Sequence, residues 1–290
     1  MLRDKTGRCL LLAAELGKRE DLFILMYYCP LYSGSSGNCA WIATGRSRLL
    51  VDAGLSGKAI ETALAALKQN PHALQGILIT HEHQDHTRGA GVLSRRLGIP
   101  IYANEATWEA MGRDLGKIAP QHRRVFGSNQ EFYLGDLEVY PYSISHDAAD
   151  PVGFAFHHNG RRVVQMTDLG RYDSRIVDIA AGADLVLVEA NHDPTLLEQG
   201  PYPQHLKRRI RSHQGHLSNQ EAGALCGELL NRGTHRFILG HLSGENNSEQ
   251  LAYDTVCREL HRQGCQVGQQ GDAQVFMAHR DRVTEVFRLD

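Results

Sequence analysis

The run His81-Glu82-His83-Gln84-Asp85-His86 constrains this chain more than any other feature. Four potential metal ligands fall within six residues, directly after the apolar stretch Gly76-Ile77-Leu78-Ile79-Thr80. A short apolar run bounded by such a segment reads as a buried strand, and the end of a buried strand is a rigid place to mount ligands. In an extended segment His81 and His83 point the same way, while Asp85 and His86, past a turn, face a second position nearby. Two metal ions suit this spacing better than one. The pattern is not the H-E-x-x-H helix of a zincin, because position 85 is Asp and the spacing does not predict a helix starting here. The bland alternative, a solvated polar loop, does not account for so dense a set of imidazoles and carboxylates.

Four ligands cannot close two sites, so further donors are expected at other strand ends. His146 follows the strand-like Val139 to Ile144, Asp168 follows Val163-Val164-Gln165-Met166-Thr167, and His241 follows Phe237-Ile238-Leu239-Gly240. Alone, each reads as a turn or capping residue. Their shared placement, apolar run and then ligand, is how α/β enzymes bring catalytic groups to one sheet edge.

The rest of the pattern supplies the sheets. From Met26 onward, β-rich runs alternate with amphipathic helical patterns, with Gly, Asn or Asp at most joints. Strands are predicted over 49–51, 76–80, 99–103, 132–144, 152–157, 161–167, 185–188 and 237–239, with a β-like end at 283–288. Helices are predicted from Ser56 to about Lys68 and over about 88–97, 203–213, 218–231 and 248–262. Asn159-Gly160 marks a hairpin. Two sheets flanked by helices follow, as one domain over 26–290, with residues 1–25 an N-terminal extension. A chain of 290 residues can serve one core.

Composition narrows the function. Hydrophobic residues at 42% and charged residues at 22% exclude disorder and fibrous classes. A net charge of -2 rules out a surface built wholly to bind polyanions, so any nucleic-acid contact is local. The six Cys form no C-x-x-C pair, which fits a reducing cytoplasm, and no apolar stretch spans a bilayer or forms a signal peptide.

Together, Asp52 in Val51-Asp-Ala-Gly54, His81-x-His83-x-Asp85-His86, His146, Asp168 in Thr167-Asp-Leu-Gly170, and His241 resemble the five motifs of the metallo-β-lactamase-fold hydrolases. Longer segments, including Ser33-Gly-Ser-Ser-Gly-Asn-Cys39, Gly215-His-Leu-Ser-Asn219 and Gly240-His-Leu-Ser-Gly-Glu-Asn-Asn247, resemble the YycJ/WalJ-like branch of that family. The resemblance runs from about Met26 to the C-terminus. It implies a four-layer αββα sandwich, phosphodiesterase or DNA exonuclease activity, and two divalent transition-metal ions, Zn, Mn or Fe. It places His81, His83 and His146 in one site and Asp85, His86 and His241 in a second, with Asp168 bridging and Asp85 also among the catalytic residues. It further implies that His216 donates the proton to the leaving oxygen, that Glu189 orients it, and that Asp52 steers a ligand imidazole. His192 and His213 are rivals for the proton donor.

An Asp at position 168 is a hard oxygen ligand able to span two ions, which favours phosphoester chemistry. The expected nucleophile is a metal-bridging hydroxide, available at neutral pH because paired cations depress its pKa. Two features bear on DNA. Ser35, Ser36 and Asn38 lie in a Gly-rich loop that reads either as a phosphate cradle or as a plain turn. Lys207, Arg208, Arg209 and Arg211 read either as a track for DNA phosphates or as a solvated helix face. The function expected is a binuclear DNA exonuclease. The alternatives are a hydrolase of a small phosphodiester or thioester on the same metals, and a metal-stabilised binding protein without turnover.

Overall fold

Alternate residues of each central strand go to different cores, and this splitting stacks two sheets face to face. The computed structural model describes residues 25–290. Leu49 and Val51 of β3 (Arg48–Val51) face the space between the sheets, whereas Leu50 faces a layer of helices. Opposite them, Leu185 and Leu187 of β11 (Leu185–Glu189) fill the central layer while Val186 and Val188 turn outward. The period of two thus buries both faces of each strand, which is why these runs are continuously apolar.

One sheet has the order β14 (Phe287–Leu289), β1 (Met26–Tyr32), β2 (Cys39–Ala43), β3, β4 (Gly76–Leu78), β5 (Ile101–Ala103) and β6 (Arg123–Val125). The other has the order β13 (Gln274–Met277), β12 (Arg236–Gly240), β11, β10 (Arg161–Met166), β9 (Val152–His158), β8 (Leu137–Ser143) and β7 (Phe132–Leu134). Outside the first pack α1 (Gly57–Ala66), α3 (Ala90–Leu97) and α4 (Glu105–Met111), through Ile60, Leu64, Leu93 and Trp108. Outside the second pack α5 (Ser174–Ala180), α8 (Asn219–Leu230) and α9 (Glu249–Arg262), through Ile176, Leu225, Leu229, Val256 and Leu260. The architecture is therefore the αββα sandwich. β3 runs parallel to β4, and β10, β11 and β12 run parallel to one another, so their C-terminal ends collect the ligand-bearing loops at one edge.

Several local expectations need correction. The predicted strand over 132–144 is two strands, because Gly135, at φ +64°, turns the chain between β7 and β8. The expected turn after His83 is one turn of helix, α2 (Gln84–Thr87), with His83 at its N-cap position. The predicted strand over 76–80 stops at Leu78, and the helical turn closes because the backbone N–H of His86 and Thr87 bond back to the His83 carbonyl. The basic helix is shorter than expected: α7 (Gln204–Ile210) stops three residues early, and the C-terminal strand begins only at Phe287. Strands β1, β2, β6 and β13 and helices α4, α5 and α6 (Pro194–Gln199) are additions. The expected N-terminal extension, apart from Leu25, lies outside the described residues. Among the described residues no helix is long and apolar enough to cross a membrane.

Candidate metal centre

Three of the strands that end at the cavity are left by a sharp turn. Asp52, Asp168 and His241 all sit in the left-handed region, with φ of 61°, 58° and 55°. Non-glycine residues visit this region seldom and at a cost. The turns bring Asp168 and His241 to the wall of a common cavity and set Asp52 against His86 behind it. His241 is anchored there by its backbone N–H, which donates to the Ser33 hydroxyl at 2.8 Å, and by its carbonyl, which accepts from the Asn191 amide at 2.8 Å.

Two sets of donors converge. In the first, Nε2 of His81 lies 3.0 Å and Nε2 of His146 lies 3.3 Å from Nδ1 of His83. In the second, Nε2 of His86 lies 3.6 Å and Nε2 of His241 lies 3.9 Å from Oδ2 of Asp85. Asp168 stands between them: Oδ2 is 3.3 Å from Nε2 of His86, while Oδ1 is 3.4 Å from His241 and 3.7 Å from His146. The resemblance-derived residues are therefore brought together as two sets around one shared carboxylate.

The partners of the remaining ring nitrogens fix what these atoms can do. Nδ1–H of His86 donates to Asp52 at 2.8 Å, that of His81 donates to the Thr80 hydroxyl at 3.0 Å, and that of His146 donates to the Gly215 carbonyl at 3.3 Å. Nδ1–H of His241 donates to Oε1 of Glu189 at 2.6 Å. The Thr80 hydroxyl in turn donates to Asp52. With the Nδ1 protons taken by these partners, Nε2 is the atom that each of the four rings turns inward, as a lone pair whenever the ring is neutral. Buried lone pairs facing one another are unfavourable unless something electrophilic lies between them. Tetrahedral binding with metal–nitrogen bonds of about 2.0–2.1 Å places ligand nitrogens roughly 3.3 Å apart, close to the separations found here. Nε2 of His241 and Oδ2 of Asp168 are buried without a hydrogen-bond partner, as donors reserved for a cation would be. The residues present fit two divalent ions.

Electrostatics agree. Burial pushes the His86 imidazolium down, but Asp168, Asp52 and Asp85 outweigh it and raise its pKa to about 9. His241 is raised in the same way against its burial, chiefly by Asp168. The buried carboxylates thus draw positive charge onto these two rings, a charge that divalent cations would supply in place of the protons. Burial lowers His81 well below the usual imidazole range, which keeps its lone pair free.

His216 enters from a different element. The capping box of Ser218 and Glu221 starts α8, and the loop just ahead presents His216 at the cavity wall. Its Nδ1 lies 2.8 Å from Oε1 of Glu189, the same oxygen that accepts from His241, while Oε2 of Glu189 accepts from the backbone N–H of Leu169 and Leu217. Burial would raise this carboxyl, yet His216 and His241 hold it below the usual carboxylate range. Of the two rivals, His192 is 2% exposed and pushed down to about 4, mainly by burial, and His213 is exposed. Neither lines the cavity.

The expected DNA contacts separate. The cavity, about 370 Å³, is lined by Ser35 and Arg209 together with His83, Asp85, His146, Asp168 and His241. Ser36 and Arg208 are exposed. Asn38 must be corrected: it is buried, with its amide nitrogen 3.1 Å from Nε2 of His86 and its oxygen accepting from the Gly34 N–H, so it packs against the centre from within and does not face a substrate. Lys207 is also corrected. It is only 5% exposed, because its ammonium turns inward to the Glu198 carbonyl. Arg211 pairs with Glu198 at 2.6 Å, and Arg209 chelates Asp147 through Nε and Nη2. The segment has no acid of its own, but the fold supplies acids from elsewhere.

Sequence reasoning did not find Thr80, Ser33 or Asp147. Thr80 and Ser33 act through hydroxyl contacts that carry no spacing signal. Asp147, beside His146 in Ser145-His-Asp147, lies 3.5 Å from Nε2 of that histidine, and its adjacency to a strand-end ligand was the available clue.

Comparison with known proteins places this geometry. The family model for the beta-lactamase superfamily domain matches residues 47–242. The chain is 40% identical over 244 residues to the exodeoxyribonuclease YycJ of Bacillus anthracis, covering 84% of this chain and 92% of that protein. It is 41% identical over 264 residues to the exodeoxyribonuclease WalJ of Streptococcus pneumoniae, covering 90% and 97%. In fold it is similar to the metallo-beta-lactamase fold protein YhfI from Bacillus subtilis, with a TM-score of 0.69 at 18% identity over 91% of this chain and all of that one. The chain belongs to the metallo-β-lactamase superfamily, within its YycJ/WalJ-like group.

Proposed function

We propose that this metal-dependent hydrolase is a cytoplasmic, binuclear DNA exonuclease whose catalytic domain spans residues 26–290. The observation that carries the reading is the shared carboxylate: Asp168 faces His86 with one oxygen and His146 and His241 with the other. A hard oxygen donor between two nitrogen-rich sets suits a pair of divalent ions held close together. His81, His83 and His146 would hold one ion, and Asp85, His86 and His241 the other. When bound, such a pair supplies Lewis acidity, generates a nucleophile from water at neutral pH, and binds phosphoryl oxygens.

The chain's own residues supply the remainder. Glu189 keeps the Nδ1 proton of His216 in place, so that Nε2 is the atom that carries and delivers a proton to the departing sugar oxygen. Asp52 holds His86, and Thr80 couples His81 to Asp52. The side chain of Ser35 and the guanidinium of Arg209 stand at the cavity wall, where a strand's phosphate would pass. The activities named for the two relatives support DNA as the substrate.

The alternative, a small phosphodiester or thioester substrate, draws support from the internal pairing of Lys207, Arg209 and Arg211, which leaves fewer cations for a long polyanion. Purified protein assayed on end-labelled DNA, on bis(p-nitrophenyl) phosphate and on a glutathione thioester separates these readings. Stepwise shortening of DNA is the expected result. Turnover of a small substrate with DNA left intact would transfer the assignment to the alternative.

A further inference from the structure

Arg280 has no hydrogen bond or ion pair to any described residue, and its Nε is buried without a partner. The acids nearest it in sequence are engaged elsewhere. Asp281 accepts from Arg282 at 3.2 Å, and Glu249 accepts from Arg282 at 3.2 Å and from His279 at 2.8 Å. A partly buried guanidinium without a counter-ion is costly, and such groups are normally paired.

The fold nevertheless makes room for it. A β-carbon on Gly34 would lie 2.6 Å from Cγ of Arg280, and one on Gly244 would lie 2.6 Å from Nη2 and 2.9 Å from Nη1. Two glycines on separate loops thus leave a slot for one side chain. The backbone beneath is fixed to the metal centre. Ala278 N–H donates to Leu239 O, two residues before His241, and Ser33 N–H donates to His279 O, while the Ser33 hydroxyl accepts from His241 N–H. The residues next to both glycines, Ser35 and Ser243, line the cavity. Arg280 therefore lies against the loops that carry Ser35 and Ser243, on the His241 side of the cavity, whereas Arg209 lines the cavity itself on the His146 side, through Asp147.

We propose that Arg280 is a phosphate-binding residue, receiving a backbone phosphate of the DNA strand that neighbours the scissile one, on the His241 side of the centre. The inference rests on the DNA reading above and deepens it by giving the strand a second anchor. A phosphate supplies the missing counter-ion, and a planar guanidinium held in a slot binds it with little loss of freedom.

The test is binding without cleavage. A fluorescent single strand with phosphorothioate linkages is titrated with the metal-loaded full chain, and anisotropy is followed across a salt series. Arg280→Gln keeps the stem that packs on Gly34 and removes the charge. Its affinity should fall roughly tenfold or more, and log K against log salt should flatten by about 0.7, the slope of one single-strand phosphate contact. Arg280→Lys should restore the slope. Metal content should match wild type, and hydrolysis of bis(p-nitrophenyl) phosphate, which has no neighbouring phosphate, should fall less than DNA cleavage. An unaltered slope in Arg280→Gln, a slope that Arg280→Lys does not restore, or equal losses on both substrates would overturn the proposal. Wild type that binds the strand with an Arg280-dependent slope but never cuts DNA would sink the exonuclease reading and leave the contact standing. Wild type that binds no strand overturns the contact itself.

Discussion

Nδ1 of His216 stands 2.8 Å from Oε1 of Glu189, a carboxylate with no exposed surface. The pairing leaves only Nε2 of His216 to deal with a substrate. Replacing His216 with Ala should therefore spare metal content but reduce DNA cleavage by roughly 10²-fold, as expected for a lost general acid. p-Nitrophenolate leaves without protonation, so hydrolysis of bis(p-nitrophenyl) phosphate should suffer far less. Equal losses on the two substrates would reassign His216 to a structural role.

Glu189 has a second client, since the same oxygen accepts from His241 at 2.6 Å. Glu189→Gln should thus do what His216→Ala does not. It should weaken metal retention by roughly 10- to 100-fold as well as turnover, the usual loss when a ligand's supporting partner is altered. Competition against a chromogenic chelator measures this directly. A variant with full metal affinity would remove Glu189 from the support of His241.

Elemental analysis of protein purified without chelator should approach two equivalents of divalent metal. Asp168→Ala should lower both, because Asp168 faces both donor sets, whereas His241→Ala should empty mainly the second. A wild-type value at or below one after reconstitution would contradict the binuclear assignment.

Lys207 should act on stability and not on DNA. Its ammonium is spent on the Glu198 carbonyl inside the α6–α7 corner, so Lys207→Ala should lower unfolding free energy by about 1–3 kcal/mol, the penalty for a lost charged hydrogen bond and its burial. The salt dependence of DNA binding should stay as in wild type. A flattened slope would return Lys207 to the phosphate track.

At the opposite edge from the metal centre, Asp136 accepts from the hydroxyls of Thr44 and Ser47, tying the turn after β2 to the turn between β7 and β8. Burial raises its carboxyl, but these hydroxyls outweigh burial and hold it below the usual value. A depressed folded pKa stabilises the protein above the unfolded value near pH 3.9 and ceases to do so as pH falls through the folded value. The Tm gap between wild type and Asp136→Asn should therefore be widest above about pH 4 and close below it. A gap that is constant with pH would mean the ionised form contributes nothing.

The sequence made the central strands and the converging His and Asp side chains legible for the same reason. A strand buried on both faces is an unbroken apolar run, and a polar ligand at its end stands out against it, as at Thr80-His81 and Gly240-His241. Edge strands carry less signal. β6 reads as a charge cluster, Arg123-Arg124, because it is exposed along its whole length, and all of β13 is only partly buried. Side-chain fate was least legible. Nothing in His205-Leu-Lys-Arg-Arg-Ile-Arg211 says that Lys207 turns inward, since the deciding partners, Glu198 and Asp147, arrive from other elements. Asn38 looked like a phosphate contact because it lies in a Gly-rich loop, and only tertiary packing reveals that it is buried beside His86.

The left-handed backbone at Asp52, Asp168 and His241 sets working capacity against durability. Each such residue stores about 1–3 kcal/mol that the rest of the sandwich must supply. Glycine adopts the same conformation without that penalty, so Asp168→Gly should melt at a higher temperature than metal-free wild type while being catalytically dead. Bound metal stabilises the folded state in turn, so selection for heat resistance alone would erode this centre at Asp168 only where metal is withheld.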